Sequence, residues 1–172
     1  KPSGLLTVPG RKPSHNDSLL TRLKKDIPNI LVVHRLDMDT SGIVLFAANK
    51  KSQSLLSQQF SNRLVKKLYV ARVHGRITKL AGTITFPITK DWPRRPLQKV
   101  CEVSGKLSKT KWRLLETSKN ANGQIFSNLI IQPVTGRTHQ IRLHLNQIGF
   151  PIVGDKLYGN VCCQETDEKL NL

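Results

Sequence analysis

At 172 residues the chain has the length of one domain, expected over 1–172, and a domain of that size buries roughly 70% of its unfolded surface. Hydrophobic residues make up 38% and aromatics 5%, so the core is aliphatic and the chain is too apolar to be disordered. Against 28 Lys and Arg stand 11 Asp and Glu, a net charge of +17 with a pI near 10.3. That excess excludes an ordinary metabolite enzyme and points to a polyanion partner. Nucleic acid comes before membrane, because no cationic anchor helix stands out and no run approaches the roughly 18 apolar residues of a membrane helix. Three cysteines, Cys101, Cys162 and Cys163, form neither a disulfide framework nor a zinc ribbon, which suits the reducing cytoplasm. The opening Lys1-Pro2-Ser3-Gly4 has neither an initiator Met nor a signal-peptide run, so the chain is expected to be cut from something longer.

In chain order, residues 1–28 are rich in Pro, Gly and Lys and read as extended loop. Ile30–Val33 and Gly42–Ala47 are strand candidates around a turn that carries Arg35, Asp37, Asp39, Thr40 and Ser41. Asn49 offers an N-cap for a helix near 50–62, with Leu55, Leu56 and Phe60 on one side. From Lys67 to His74 the pattern alternates, placing Tyr69, Ala71 and Val73 on one face of a strand, Tyr69 toward something apolar or a ligand. Further strands are expected at 83–88, 98–104, 110–117 and 124–132. Thr138 is the candidate N-cap of a helix to about Ile148, with Ile141, Leu145 and Ile148 in one apolar stripe and Gly149 and Pro151 as the stop. Ile152-Val153 returns as a short strand, and 160–172 is polar and expected to fray. Many strands, few helices and no βαβ period predict an α+β fold, a largely antiparallel mixed sheet with a few flanking helices.

Phosphate-loop, dinucleotide-binding, zincin and nucleophile-elbow motifs are all absent from the sequence. What remains is charge concentrated at element ends. His34-Arg35-Leu36-Asp37-Met38-Asp39-Thr40-Ser41-Gly42 puts a carboxylate in a turn directly after a buried strand, where a rigid scaffold fixes a catalytic loop. Asp37 or Asp39 as a plain turn cap is the competing reading. The second concentration runs from Thr135 to His144. There Arg137 and Arg142 suit phosphate or carboxylate contact through the planar guanidinium fork, against the alternative of a solvated basic helix face. His139 and His144, five apart, are a poor metal pair and read as RNA-facing or structural.

Together, H-R-L-D-M-D-T-S-G at 34–42, K-K-L-Y-V-A-R-V-H-G at 66–75, G-R-T-H-Q-I-R at 136–142 and G-F-P-I-V-G-D-K-L-Y at 149–158 resemble the RluA-type RNA pseudouridine synthases. So does the opening K-P-S-G-L-L-T-V-P-G, and D-W-P-R-R-P-L-Q-K-V at 91–100 is similar to the RluA branch. The resemblance covers about 1–159. It implies that Asp37, fourth in H-R-L-D, is the catalytic aspartate, that Tyr69 packs against the target base and that Arg142 pairs with the aspartate. Arg35 stands where the family displaces the target nucleotide, and Arg137, His139 and Gln140 are expected RNA contacts. Asp39 falls at a variable position and receives no role. After Tyr158 this chain departs from the family's usual continuation, so the catalytic domain is expected to be truncated at its C-terminus.

The implied activity is isomerisation of specific uridines in structured RNA, large-subunit rRNA, tRNA or both, by base flipping, in a cytoplasmic monomer without metal, organic cofactor or membrane. The uridine must leave its stack before C1′ can be reached, and an aromatic ring can stack on the flipped base. Asp37 either adds to C1′ or removes the C2′ proton. The rivals are a catalytically silent RNA-binding module on the same fold and a paired-carboxylate nuclease or glycosidase.

Overall fold

Residues 1–159 are described by the computed structural model; the polar end over 160–172, with Cys162 and Cys163, lies outside the described residues. Contacts divide the chain into two units, Lys1–Val65 and Lys66–Leu172.

The first unit departs from the expected loop over 1–28. Pro13–His15 forms a turn of 3₁₀-helix, and Leu19–Leu23 forms α1. Ser18 caps α1 reciprocally: its hydroxyl accepts the Thr21 N–H at 3.1 Å, and Thr21 Oγ1 accepts the Ser18 N–H at 2.8 Å. The two expected strands shrink to two-residue ladders, β1 at Leu31–Val32 and β2 at Phe46–Ala47, paired antiparallel. The ladder stops because the next amide leaves it: Leu45 N–H donates to His34 Nε2 at 3.0 Å. Helix α2 spans Lys50–Ser61, capped by Asn49, whose Oδ1 accepts the Ser52 N–H. Its inner side holds Leu56 and Phe60, while Leu55 is 52% exposed. Adjacent leucines sit about 100° apart on a helix, so both cannot face in.

The second unit is built on a four-stranded antiparallel sheet of order β3-β8-β7-β4. Its strands are β3 (Tyr69–His74), β4 (Ala81–Ile84), β7 (Thr110–Lys119) and β8 (Ile125–Pro133). The stretch expected as one strand at 83–88 divides at Pro87, which has no N–H to give to a ladder. Beyond that proline, β5 (Ile88–Lys90) pairs with β6 (Gln98–Val100) in a separate hairpin. Helix α3 runs Gln140–Gln147. Ala71, Val73, Ile84, Trp112, Leu129 and Ile131 of the sheet bury one face together with Leu145 of α3. The stripe of Ile141, Leu145 and Ile148 packs there as expected. Leu143 turns instead to a second cluster with Ile88 and Tyr158, which seats the β5–β6 hairpin. Ile152 continues as a single bridge to Val73. The α+β class holds, with antiparallel ladders and few helices.

Candidate active site

In the first unit the Asp37 turn is clamped by the segment 1–7. Thr7, 2% exposed, bonds Leu36 twice: its hydroxyl donates to Leu36 O at 2.8 Å and accepts the Leu36 N–H at 3.1 Å. Gly4 N–H donates to Met38 O, and Ser3 Oγ donates to Asp39 O. The turn closes on itself through Thr40 N–H to Asp37 O. Lys1 Nζ donates to Met38 O at 2.7 Å and Leu5 O at 2.6 Å. Burial pushes the Lys1 ammonium below its usual value, with the charges of Asp39 and Asp37 acting in the opposite sense. His34 stacks on Phe60 at 4.6 Å, which fixes the start of the same segment on α2. Asp37 is half-buried here; Arg35 and Asp39 are exposed. The sequence pattern does not reveal the clamp by residues 1–7; Lys1, Gly4 and Thr7 give no local signal of partners 29 to 37 positions away.

In the second unit Tyr69 opens β3 opposite Ile131 and packs against the main core. Gln140 is 3% exposed and held from within. Its Oε1 accepts from Thr135 Oγ1 at 2.7 Å and from the Arg137 N–H at 3.0 Å. Its Nε2 donates to Lys109 O and Thr110 Oγ1. The structure therefore gives Gln140 an internal post that shapes the Arg137–His139 turn. Arg137 is exposed. Lys67, whose ammonium burial pushes below its usual value, reaches within 3.4 Å of where a Cβ on Gly136 would stand. His139, not Thr138, is the N-cap of α3, and it sits at φ 53° in the left-handed region that few side chains adopt. Tyr158 Oη, which accepts the Gln98 N–H at 2.9 Å, shares a hydrogen bond with His139 Nδ1 at 2.9 Å.

Arg142 is not on a solvated face. Its side chain is 12% exposed and that of Asp155 3%. Nε donates to Oδ2 at 2.7 Å and Nη2 to Oδ1 at 2.6 Å, a bidentate fork. Oδ1 also accepts the Leu157 and Tyr158 N–H groups. Burial alone would raise the Asp155 carboxyl, but the Arg142 fork and those amides carry it below the usual carboxylate value. His144 is fully buried, with Nε2 on Phe86 O and Nδ1 on Thr110 Oγ1, so of the two readings its position is the structural one. Among the described residues no group of His, Cys, Asp and Glu could hold a metal ion. No described helix is long and apolar enough to cross a membrane.

The family model described as RNA pseudouridylate synthase matches residues 1–147. The chain belongs to this family. It is 47% identical over all 172 residues to the dual-specificity RNA pseudouridine synthase RluA of Vibrio vulnificus (strain CMCP6), covering 69% of that protein. Against the protein of the same name from Escherichia coli (strain K12) it is 43% identical over 160 residues, covering 71%. Among solved structures, human RNA pseudouridylate synthase domain containing 1 superposes with a TM-score of 0.75 at 33% identity. That match takes in 87% of this chain and 63% of the human one. A second human chain, RNA pseudouridylate synthase domain containing 4, shares the fold with a TM-score of 0.73 at 23% identity. The expected family, its α+β fold and its isomerase class are those of these relatives, and the paired-carboxylate hydrolase has no counterpart among them.

Proposed function

We propose that the chain isomerises uridine to pseudouridine in RNA, with Asp37 as the catalytic carboxylate. The observation that carries this is the family match running through the H-R-L-D segment, with an aspartate intact at its fourth position in a turn held from both sides. In the reaction the N1–C1′ bond breaks, the uracil turns, and a C5–C1′ bond forms. The C5 proton is released and N1 takes one up. The target must leave its stack, so Tyr69 supplies a ring for the flipped base and Arg35 takes part in displacing it. Arg142 supports the catalytic carboxylate, and its guanidinium plane is fixed by Asp155. Arg137 and His139 lie against RNA, and Gln140 serves them by holding the Arg137 amide. The relatives are named dual-specificity, and our reading takes the RNA of this chain as large-subunit rRNA, tRNA or both. The same reading takes the protein as a cytoplasmic monomer that works without metal or organic cofactor.

The test is tritium release from RNA labelled at uridine C5. Asp37→Asn keeps the shape of the side chain and removes its charge, so release should fall to background while RNA binding persists. Asp39→Asn, two residues on, should keep most of the activity. Parent-level turnover by a folded Asp37→Asn protein would remove Asp37 from the role. RNA cleavage that EDTA abolishes would favour the hydrolase instead.

A further inference from the structure

The loop that joins β5 to β6 has an unusual combination of features. Trp92 is 60% exposed, although an indole is among the costliest side chains to leave in water. The Arg95 guanidinium lies 3.8 Å from its ring centre and the Lys90 ammonium 5.2 Å. Lys90, Arg94, Arg95 and Lys99 are all exposed over ten positions. The single acid among them, Asp91, is 3% exposed and turned inward to receive Arg94 Nε at 2.8 Å. The loop is also preset. Asp91 N–H donates to Leu97 O, Arg94 N–H to Asp91 O and Leu97 N–H to Arg94 O. Gln98 N–H is held by Tyr158 Oη, whose ring belongs to the cluster under the hairpin. A rigid loop that presents an aromatic face among cations loses little conformational freedom on binding.

We propose that this loop is a second RNA contact, in which Trp92, extended by the Arg95 plane, stacks on an unpaired nucleotide other than the target uridine. The inference rests on the reading of the protein as an RNA pseudouridine synthase and assigns part of its RNA selection to residues 90–99. The ring favours an unpaired nucleotide over a duplex, because bases inside a helix offer only their edges, whereas splayed bases stack on aromatic and guanidinium planes. The surrounding cations favour a polyanion over an apolar protein partner.

Fluorescein-labelled RNA hairpins with an unpaired loop, and blunt duplexes of the same stem, are titrated at fixed salt with the full chain. Intrinsic tryptophan emission is followed in parallel. The only other tryptophan, Trp112, is 8% exposed in the core, so hairpin binding should quench the parent and leave Trp92→Phe unquenched. Trp92→Ala should bind the hairpin roughly 5- to 150-fold more weakly, the range for loss of one base–aromatic stack, with duplex binding little changed. Trp92→Phe should recover most of the affinity, because it keeps a ring. Equal hairpin affinity for Trp92→Ala and parent, or equal loss for hairpin and duplex, overturns the loop contact and leaves the synthase reading standing. Failure of the parent to bind either RNA overturns both. Thermal melting of each variant separates lost binding from lost folding.

Discussion

Asp155 is a carboxylate almost closed off from water, carrying four hydrogen bonds, two of them from Arg142. Breaking one side of a buried, forked pair leaves the other charge stranded, at a typical cost of about 3–5 kcal/mol. Asp155→Asn should therefore lower the unfolding free energy measured in urea by an amount of that order, and more than an exposed substitution such as Asp17→Asn does. An unchanged unfolding free energy would mean that Arg142 is held by other contacts. Because the Asp155 carboxyl titrates below its unfolded value, its contribution is present above about pH 4 and is lost as pH falls through the lowered value. At this scale the sequence was partly legible. Asp37, Tyr69 and Arg142 stood out because their motifs are contiguous. Asp155 sits in the G-F-P-I-V-G-D-K-L-Y motif, yet its role stayed hidden, because nothing in V-G-D-K-L-Y names a partner 13 residues earlier. The internal hydrogen bonds of Gln140 were not legible, because a polar residue in a basic helix gives no sign that its neighbours are buried.

Helix α3 and strand β7 are joined by a buried hydrogen-bond network. His144 Nε2 lies 2.9 Å from Phe86 O and 3.0 Å from Ser108 Oγ, and Nδ1 lies 2.9 Å from Thr110 Oγ1, which itself receives Gln140 Nε2–H. Burial lowers the imidazole's affinity for a second proton. The unfolded chain binds that proton near pH 6.5 and the folded chain only at lower pH, so stability is full above about 6.5 and declines on acidification below it. His144→Gln keeps a side chain that can bond at both ends and cannot charge. The stability gap between parent and His144→Gln should narrow by up to about 1.4 kcal/mol for each pH unit below 6.5. A gap constant from pH 7 to 5.5 would mean that His144 does not titrate in that range. Element existence was legible where periodicity was long, as in α2, α3, β3, β7 and β8. Existence failed where Ser18 capped a helix of only five residues, and extent failed where a side chain replaced a ladder partner, as His34 does for Leu45.

For the whole molecule, +17 of formal charge makes RNA affinity chiefly a matter of phosphate contacts. The logarithm of affinity should fall linearly with that of salt, by about 0.7–0.9 per phosphate contacted. Affinity that stays level from low to physiological salt would exclude the RNA backbone as a partner. Charge was legible at once from composition, whereas the division at Val65 was not, because no change of composition marks it. The order of strands in the sheet also bears on synthesis. Thr7 meets Leu36 across only 29 residues, so the turn that carries Asp37 can be closed early on the ribosome. Strand β3 must wait. Its ladder partner β8 is some 50 residues further on, as the Ser127–Gly75 bond at its end shows, and Ile152, which bridges Val73, comes later still. At about 5–20 residues per second β3 spends seconds without its ladder, presenting unpaired edges beside the exposed Leu68 and Val70. The nascent chain is thus most open to misassociation in the interval between the synthesis of Tyr69 and that of Ile131.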